Sequence, residues 1–194
     1  MFEMKDLHVP KEVADGHDIS KFINYVDVNL DHHKDESDGN KGIPQLIQDM
    51  EDYFGGKFPN EKDYHKSNVK VHPILVVSDK IVSIRGFNQM MEDRMNRRLT
   101  NSKILSAHRK EIDHLLVIDI DMLIMSAVVA YHNFAYFSYM LSSYFHNVLQ
   151  SGDVFMHNES FRNYWMNRWD VKMKTCDREL FTQNFKRVIK EIMH

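Results

Sequence analysis

Two short stretches constrain this chain more than any other feature: Val71 to Val77, interrupted by His72-Pro73, and Leu115 to Ile120. Both are β-branched and apolar at consecutive positions, and both are too short for an ordinary helix. A strand whose successive residues are all apolar hides both of its faces, which is the habit of a parallel sheet covered on both sides. Pro73 falls near the start of the first run, where its missing ladder donor does no harm. Ser78-Asp79-Lys80 ends that run. A third strand is expected at Phe22 to Leu30, where Val26, Val28 and Leu30 alternate with Asp27 and Asn29.

Helical patterns separate these runs. Ile43, Leu46, Ile47, Met50 and Phe54 share one helical face, with Pro44 in the first turn and Gly55-Gly56 as the stop. Gly86 precedes a second helix carrying Phe87, Met90, Met91, Met95 and Leu99. An uncharged helix is expected from Met122 to Leu149, broken by Ser151-Gly152-Asp153. A last amphipathic helix is marked by Leu180, Phe181, Phe185, Val188 and Ile192. The order predicts an α/β fold: a small, mostly parallel sheet with crossover helices, followed by a helical C-terminal region. Residues 1–121 form the sheet region and 122–194 the helical region, packed as one domain. Three strands are few for 194 residues. Either further strands lie on the N-terminal side or one hides within Met1 to Gly16.

The net charge of −3 singles out no nucleic-acid, membrane or acidic partner, and leaves room for a local basic face. Cys176 is the single cysteine, so neither an intrachain disulfide nor a Cys-based zinc site can form. A reducing cytoplasm is expected, with Cys176 a passive thiol on a polar helix. Met1 to Pro10 has no apolar signal core. Met122 to Phe145 carries no formal charge, but His132, Asn133 and several Ser and Tyr stand within it. It reads as a buried core helix rather than a membrane span.

Ligands of open parallel sheets bind at the carboxyl ends of the strands. Each expected strand leaves into acids: Asp31 with His32 and His33, then Asp79, then Asp119 and Asp121. Converging carboxylates would hold Mg²⁺ or Mn²⁺, which could activate water for phosphodiester hydrolysis. Against that, Asp after a strand commonly caps the next helix, and Asp121 stands directly before the long one. His32-His33 lies in a polar loop, and on a strand its two rings would face opposite ways. Arg109 and His114 have a spacing that resembles the RNase motif of HEPN proteins, but they precede a strand where that motif needs a helix. Trp165, Trp169, Tyr164, Arg162 and Arg168 could stack bases and pair phosphates. Aromatic residues at helical spacing are more often core or interface, and the interface reading is favoured here. Neither GxxxxGK[ST], GxGxxG nor GxSxG occurs.

Three stretches together carry a resemblance. Lys41-Gly42-Ile43-Pro44-Gln45-Leu46-Ile47 opens the first helix. Val71-His72-Pro73-Ile74-Leu75-Val76-Val77-Ser78-Asp79 is followed by Arg85-Gly86-Phe87-Asn88. Then comes Leu116-Val117-Ile118-Asp119-Ile120-Asp121-Met122-Leu123-Ile124. Over residues 40 to 125 their order resembles the C-terminal part of bacterial proteins that look like restriction-endonuclease-fold (PD-(D/E)xK-like) nucleases. There, a KG.xQL helix follows the catalytic strand. The resemblance implies an incomplete restriction-endonuclease-like domain, Mg or Mn, DNA reached through a larger or neighbouring chain, and a role in defence. Such an enzyme needs a metal-binding Asp and a Glu-x-Lys on adjacent strands. The strand expected before Lys41 offers Asp27-Val28-Asn29 and Asp31-His32-His33-Lys34 instead, so no catalytic residue is carried over. The alternative is a non-enzymatic protein-interaction module, forming a homo-oligomer or binding a protein partner.

Overall fold

The computed structural model describes residues 2–5, 7–15, 18–31, 41–57, 70–151 and 159–173. Three strands, β1 (Phe2–Lys5), β2 (Ile74–Val77) and β3 (Leu116–Asp119), form a parallel sheet in that order. Before β2 come α1 (Lys11–Ala14), α2 (Ile19–Val26) and α3 (Ile43–Phe54). Between β2 and β3 come α4 (Phe87–Asn101) and α5 (Lys103–Ala107), flanked by 3-10 turns at Lys80–Ser83 and Arg109–Glu111. After β3 follow α6 (Ile120–His132), α7 (Phe134–Tyr144) and α8 (Phe161–Met173).

Alternation along β2 and β3 divides the core in two. Leu75, Val77 and Val117 pack with Val26, Leu30, Leu46, Met50, Phe87, Met91 and Met95 from the two crossovers. Ile74, Val76, Leu116 and Ile118 pack with Met122, Met140, Tyr144, Phe161 and Trp165 from the C-terminal helices. The result is an α/β/α sandwich, and the expectation of a small parallel sheet with crossover helices holds.

The strand expected at Phe22 to Leu30 is instead α2, continued by a π-helical turn at Asp27–Asp31. Asp18 caps α2 by accepting from the Ser20 and Lys21 amides at 3.0 and 3.3 Å. Val26 and Leu30, four residues apart, are buried, while Val28 is exposed. The apolar positions therefore suit a helix as well as a strand, and the cap and the packing of Val26 and Leu30 in the core favour the helix. The additional strand is β1, within the first five residues. The long helix expected from Met122 to Leu149 is interrupted at Asn133, whose side chain caps α7 through the Tyr136 amide at 2.9 Å. The amphipathic segment Leu180 to Ile192 lies outside the described residues, as do Cys176 and His32-His33.

The two sheet edges differ. On β3, the Asn88 side chain accepts from the Val117 amide at 2.7 Å and donates to the Leu115 carbonyl at 2.9 Å, while Glu92 accepts from the Leu115 amide. Side chains of α4 thus take the hydrogen bonds that another strand would take. Among the described residues, β1 pairs only with β2.

Gly42 precedes α3 with φ 70° and ψ −128°, and a Cβ there would sit 2.3 Å from the Leu30 carbonyl oxygen. Gly56 also has positive φ, but nothing lies within 4 Å of its would-be Cβ. Gly42→Ala is expected to cost about 3 kcal/mol in urea unfolding, because clash adds to backbone strain. Gly56→Ala is expected to cost about 1 kcal/mol, from conformation alone.

Candidate functional site

The carboxyl edge of the sheet is where a ligand would be expected, and it is occupied by the protein's own side chains. Just past β2, the Ser78 hydroxyl donates to the Leu7 carbonyl at 2.8 Å and accepts from the Leu7 amide at 2.9 Å. Asp79 accepts from the Val9 amide at 3.0 Å. Both side chains fasten the segment that leaves β1.

Asp119 ends β3 and is wholly buried. Its carboxylate takes a two-pronged contact from Arg162 of α8, at 2.9 and 2.7 Å, together with the Ser83 hydroxyl at 2.9 Å. It also accepts from the Met122 amide at 3.0 Å, so it is the cap of α6. The helix cap expected of Asp121 thus belongs to Asp119. Asp121 instead meets Lys80 at 3.0 Å and lies 3.6 Å from the same Arg162 Nη2 that donates to Asp119.

Burial alone would push the Asp119 carboxyl up. Arg162, the Met122 amide and Ser83 outweigh it and hold the group below the usual carboxylate range. Arg162 is correspondingly pushed up, chiefly by its hydrogen bond to Asp119.

Of the acids read from the sequence, Asp79, Asp119 and Asp121 gather at this edge. Asp31 does not. It accepts from Arg98 at 2.7 Å and lies 3.8 Å from Arg94, which also meets Asp27 at 2.6 Å. Asn88 of α4 is level with Leu115 and Val117, and Glu92 with His114 and Leu115. The helix therefore runs against the strand direction. Ten residues beyond Asn88, about 15 Å along α4, Arg98 places Asp31 toward the amino end of the sheet. Among the described residues, no three of His, Cys, Asp and Glu group so as to hold a metal ion.

The aromatic-basic patch is also placed differently from expectation. Tyr164 and Trp165 are fully buried in the C-terminal core, Arg162 is committed to Asp119, and Arg168 lies 3.6 Å over the Tyr164 ring. Tyr164 and Trp165 are therefore core residues of this chain. Arg109 begins a 3-10 turn, and His114 precedes β3 with its ring 2.9 Å from buried Glu92.

Sequence reading passed over Glu3-Met4-Lys5, which the structure places on β1 in register with Leu75, Val76 and Val77. This is a Glu-x-Lys on a strand beside β2. The signal was present but only four residues long, half of them charged.

Compared with known protein families, curated proteins and solved structures, the chain matches none. The fold itself defines the class: a three-layer α/β unit on a short parallel sheet. No helix of the described residues is long and apolar enough to cross a membrane.

Replacing Arg162 by Leu leaves Asp119 buried beside an apolar side chain. A loss of about 3 kcal/mol is expected at neutral pH. The native Asp119 carboxyl is lowered, so its contribution is complete above the unfolded value of about 3.9 and is lost as the pH falls through the folded one. Protonation relieves the stranded charge in Arg162→Leu. Urea unfolding should therefore show the gap between wild type and variant beginning to narrow above pH about 4, where burial lifts the variant's Asp119. It should narrow further below that pH, as the wild type loses its own contribution.

Proposed function

We propose that this chain is the later part of a metal-dependent, restriction-endonuclease-like nuclease unit, with β1 as its catalytic strand, and that it is inactive alone. The observation that carries this reading is Glu3-Met4-Lys5 on β1, ahead of the Lys41-Gly42…Gln45-Leu46 start of α3. The resemblance calls for a Glu-x-Lys strand before that helix. It also calls for an Asp on an adjacent strand. β2 has none, being Ile-Leu-Val-Val, and on its other side β1 pairs with no strand among the described residues. Asn88 and Glu92 occupy the outer edge of β3 at Leu115 and Val117, so this reading puts the further strand beside β1.

In such a site Glu3 would supply a carboxylate ligand and Lys5 would poise the attacking water. A bound Mg²⁺ or Mn²⁺ would supply Lewis-acid stabilisation of the phosphodiester. The donor set within this chain fits only half of that requirement. Asp79, Asp119 and Asp121 brace the carboxyl edge and are not assigned to the metal.

The chain by itself is expected to show no Mg²⁺-dependent nicking of supercoiled plasmid. Joined to a preceding segment that supplies the strand and Asp, it is expected to nick, and Glu3→Gln or Lys5→Ala to abolish nicking more than about a hundredfold. Robust nicking that survives both substitutions sinks the reading.

A second reading, a non-enzymatic interaction module, is favoured by Tyr131 and Tyr139, which are 80% and 62% exposed on consecutive helices. A monomer by light scattering, with no co-purifying partner, counts against it.

A further inference from the structure

We infer that the α4–α5 corner at the amino end of the sheet is a docking surface for the phosphate backbone of a nucleic acid. From Arg94 to Lys110 the chain carries Arg94, Arg97, Arg98, Lys103, Arg109 and Lys110 and no acid, in a protein whose net charge is −3. Two of these cations serve the fold, since Arg94 and Arg98 are spent on Asp27 and Asp31. The other four are exposed and make no ion pair among the described residues.

Hydrogen bonds hold several of them together. Arg109 donates to the Asn96 side chain at 3.0 Å, next to Arg97, and to the Ile112 carbonyl at 2.8 Å. Lys70 donates to the Lys110 carbonyl at 2.8 Å. Thr100, Asn101 and Ser106 are exposed on the same turn of chain and add neutral hydrogen-bonding groups. The acids nearby are hydrogen-bonded or paired: Asp93, one turn before Arg97, by Gln89, Glu51 by Ser102, Glu111 by His108, and Asp113 by His72 and Lys70.

The contrast with the carboxyl edge is what gives the patch meaning. There, Lys80 and Arg162 are neutralised by Asp121 and Asp119. Cations that pair with no described acid, set on two helix ends with hydroxyl and amide groups between them, suit a repeated anion read without sequence preference. A duplex backbone presents such anions at regular spacing, and binding to it releases counterions. This surface is separate from β1 and requires no metal, so it stands or falls independently of the nuclease reading.

The test is fluorescence anisotropy with a short labelled DNA duplex in EDTA, titrated from about 50 to about 200 mM salt. The wild type is expected to bind with an affinity that falls steeply with salt. The triple variant Arg97→Ala, Lys103→Ala, Lys110→Ala changes exposed residues and is expected to keep its circular dichroism spectrum. It should bind at least about tenfold more weakly, with a log–log salt slope lower by about 2 to 3. Lys21→Ala, on the exposed surface of α2, is expected to change nothing. The inference is overturned if the wild type does not bind at the lowest salt or if the triple variant binds as the wild type does. It is equally overturned if the protein binds phosphatidylserine vesicles in preference to duplex. Binding without any cleavage leaves it standing while counting nothing toward the nuclease.

Discussion

Four consecutive apolar side chains in β2 cannot be kept from water unless both faces of the sheet are covered, and the rest of the structure follows from that requirement. Ile74 and Val76 face one layer, Leu75 and Val77 the other, and all four are buried. Each such side chain contributes about 2 kcal/mol when fully buried, so leaving either face bare would forfeit several kcal/mol. The two crossovers supply one cover. The C-terminal helices supply the other, which is why a chain with so small a sheet devotes so much of its length to helices after β3.

Covering the second face has a consequence at the carboxyl edge. Helix α8 brings Trp165 and Phe161 onto the sheet and, with them, Arg162 onto Asp119. A buried carboxylate needs its lone pairs satisfied, and Asp119 receives a guanidinium, a hydroxyl and a helix amide. One residue therefore ends β3, starts α6 and anchors α8. At the carboxyl edge, where other parallel sheets bind ligands, the interaction of Asp119 with Arg162 joins the C-terminal helices to the sheet.

The two edges of the sheet are built differently. Along β3, α4 offers a carboxamide and a carboxylate where a strand would offer peptide groups. Among the described residues β1 pairs only with β2, and that strand carries Glu3 and Lys5. Charge is distributed with the same polarity. The carboxyl edge is internally neutralised, while the corner between α4 and α5 retains cations that no described acid claims.

The sequence by itself determined the elements whose patterns are long or one-sided. β2, β3, α3 and α4 stand where apolar runs and helical spacing put them, because burial on two faces or on one stripe leaves few alternatives. Only the tertiary structure decided the rest. Val26 and Leu30 fit a strand and a helix equally, and the cap at Asp18 together with packing against the α4 layer chose the helix. β1, with two charged residues in four, shows itself only through its pairing with β2. The fate of the acids was likewise invisible in one dimension. Asp31 and Asp119 both follow apolar segments, but one meets Arg98 at the amino end and the other Arg162 at the carboxyl end. Those arginines are 67 and 43 residues away along the chain, a separation that no local pattern reports.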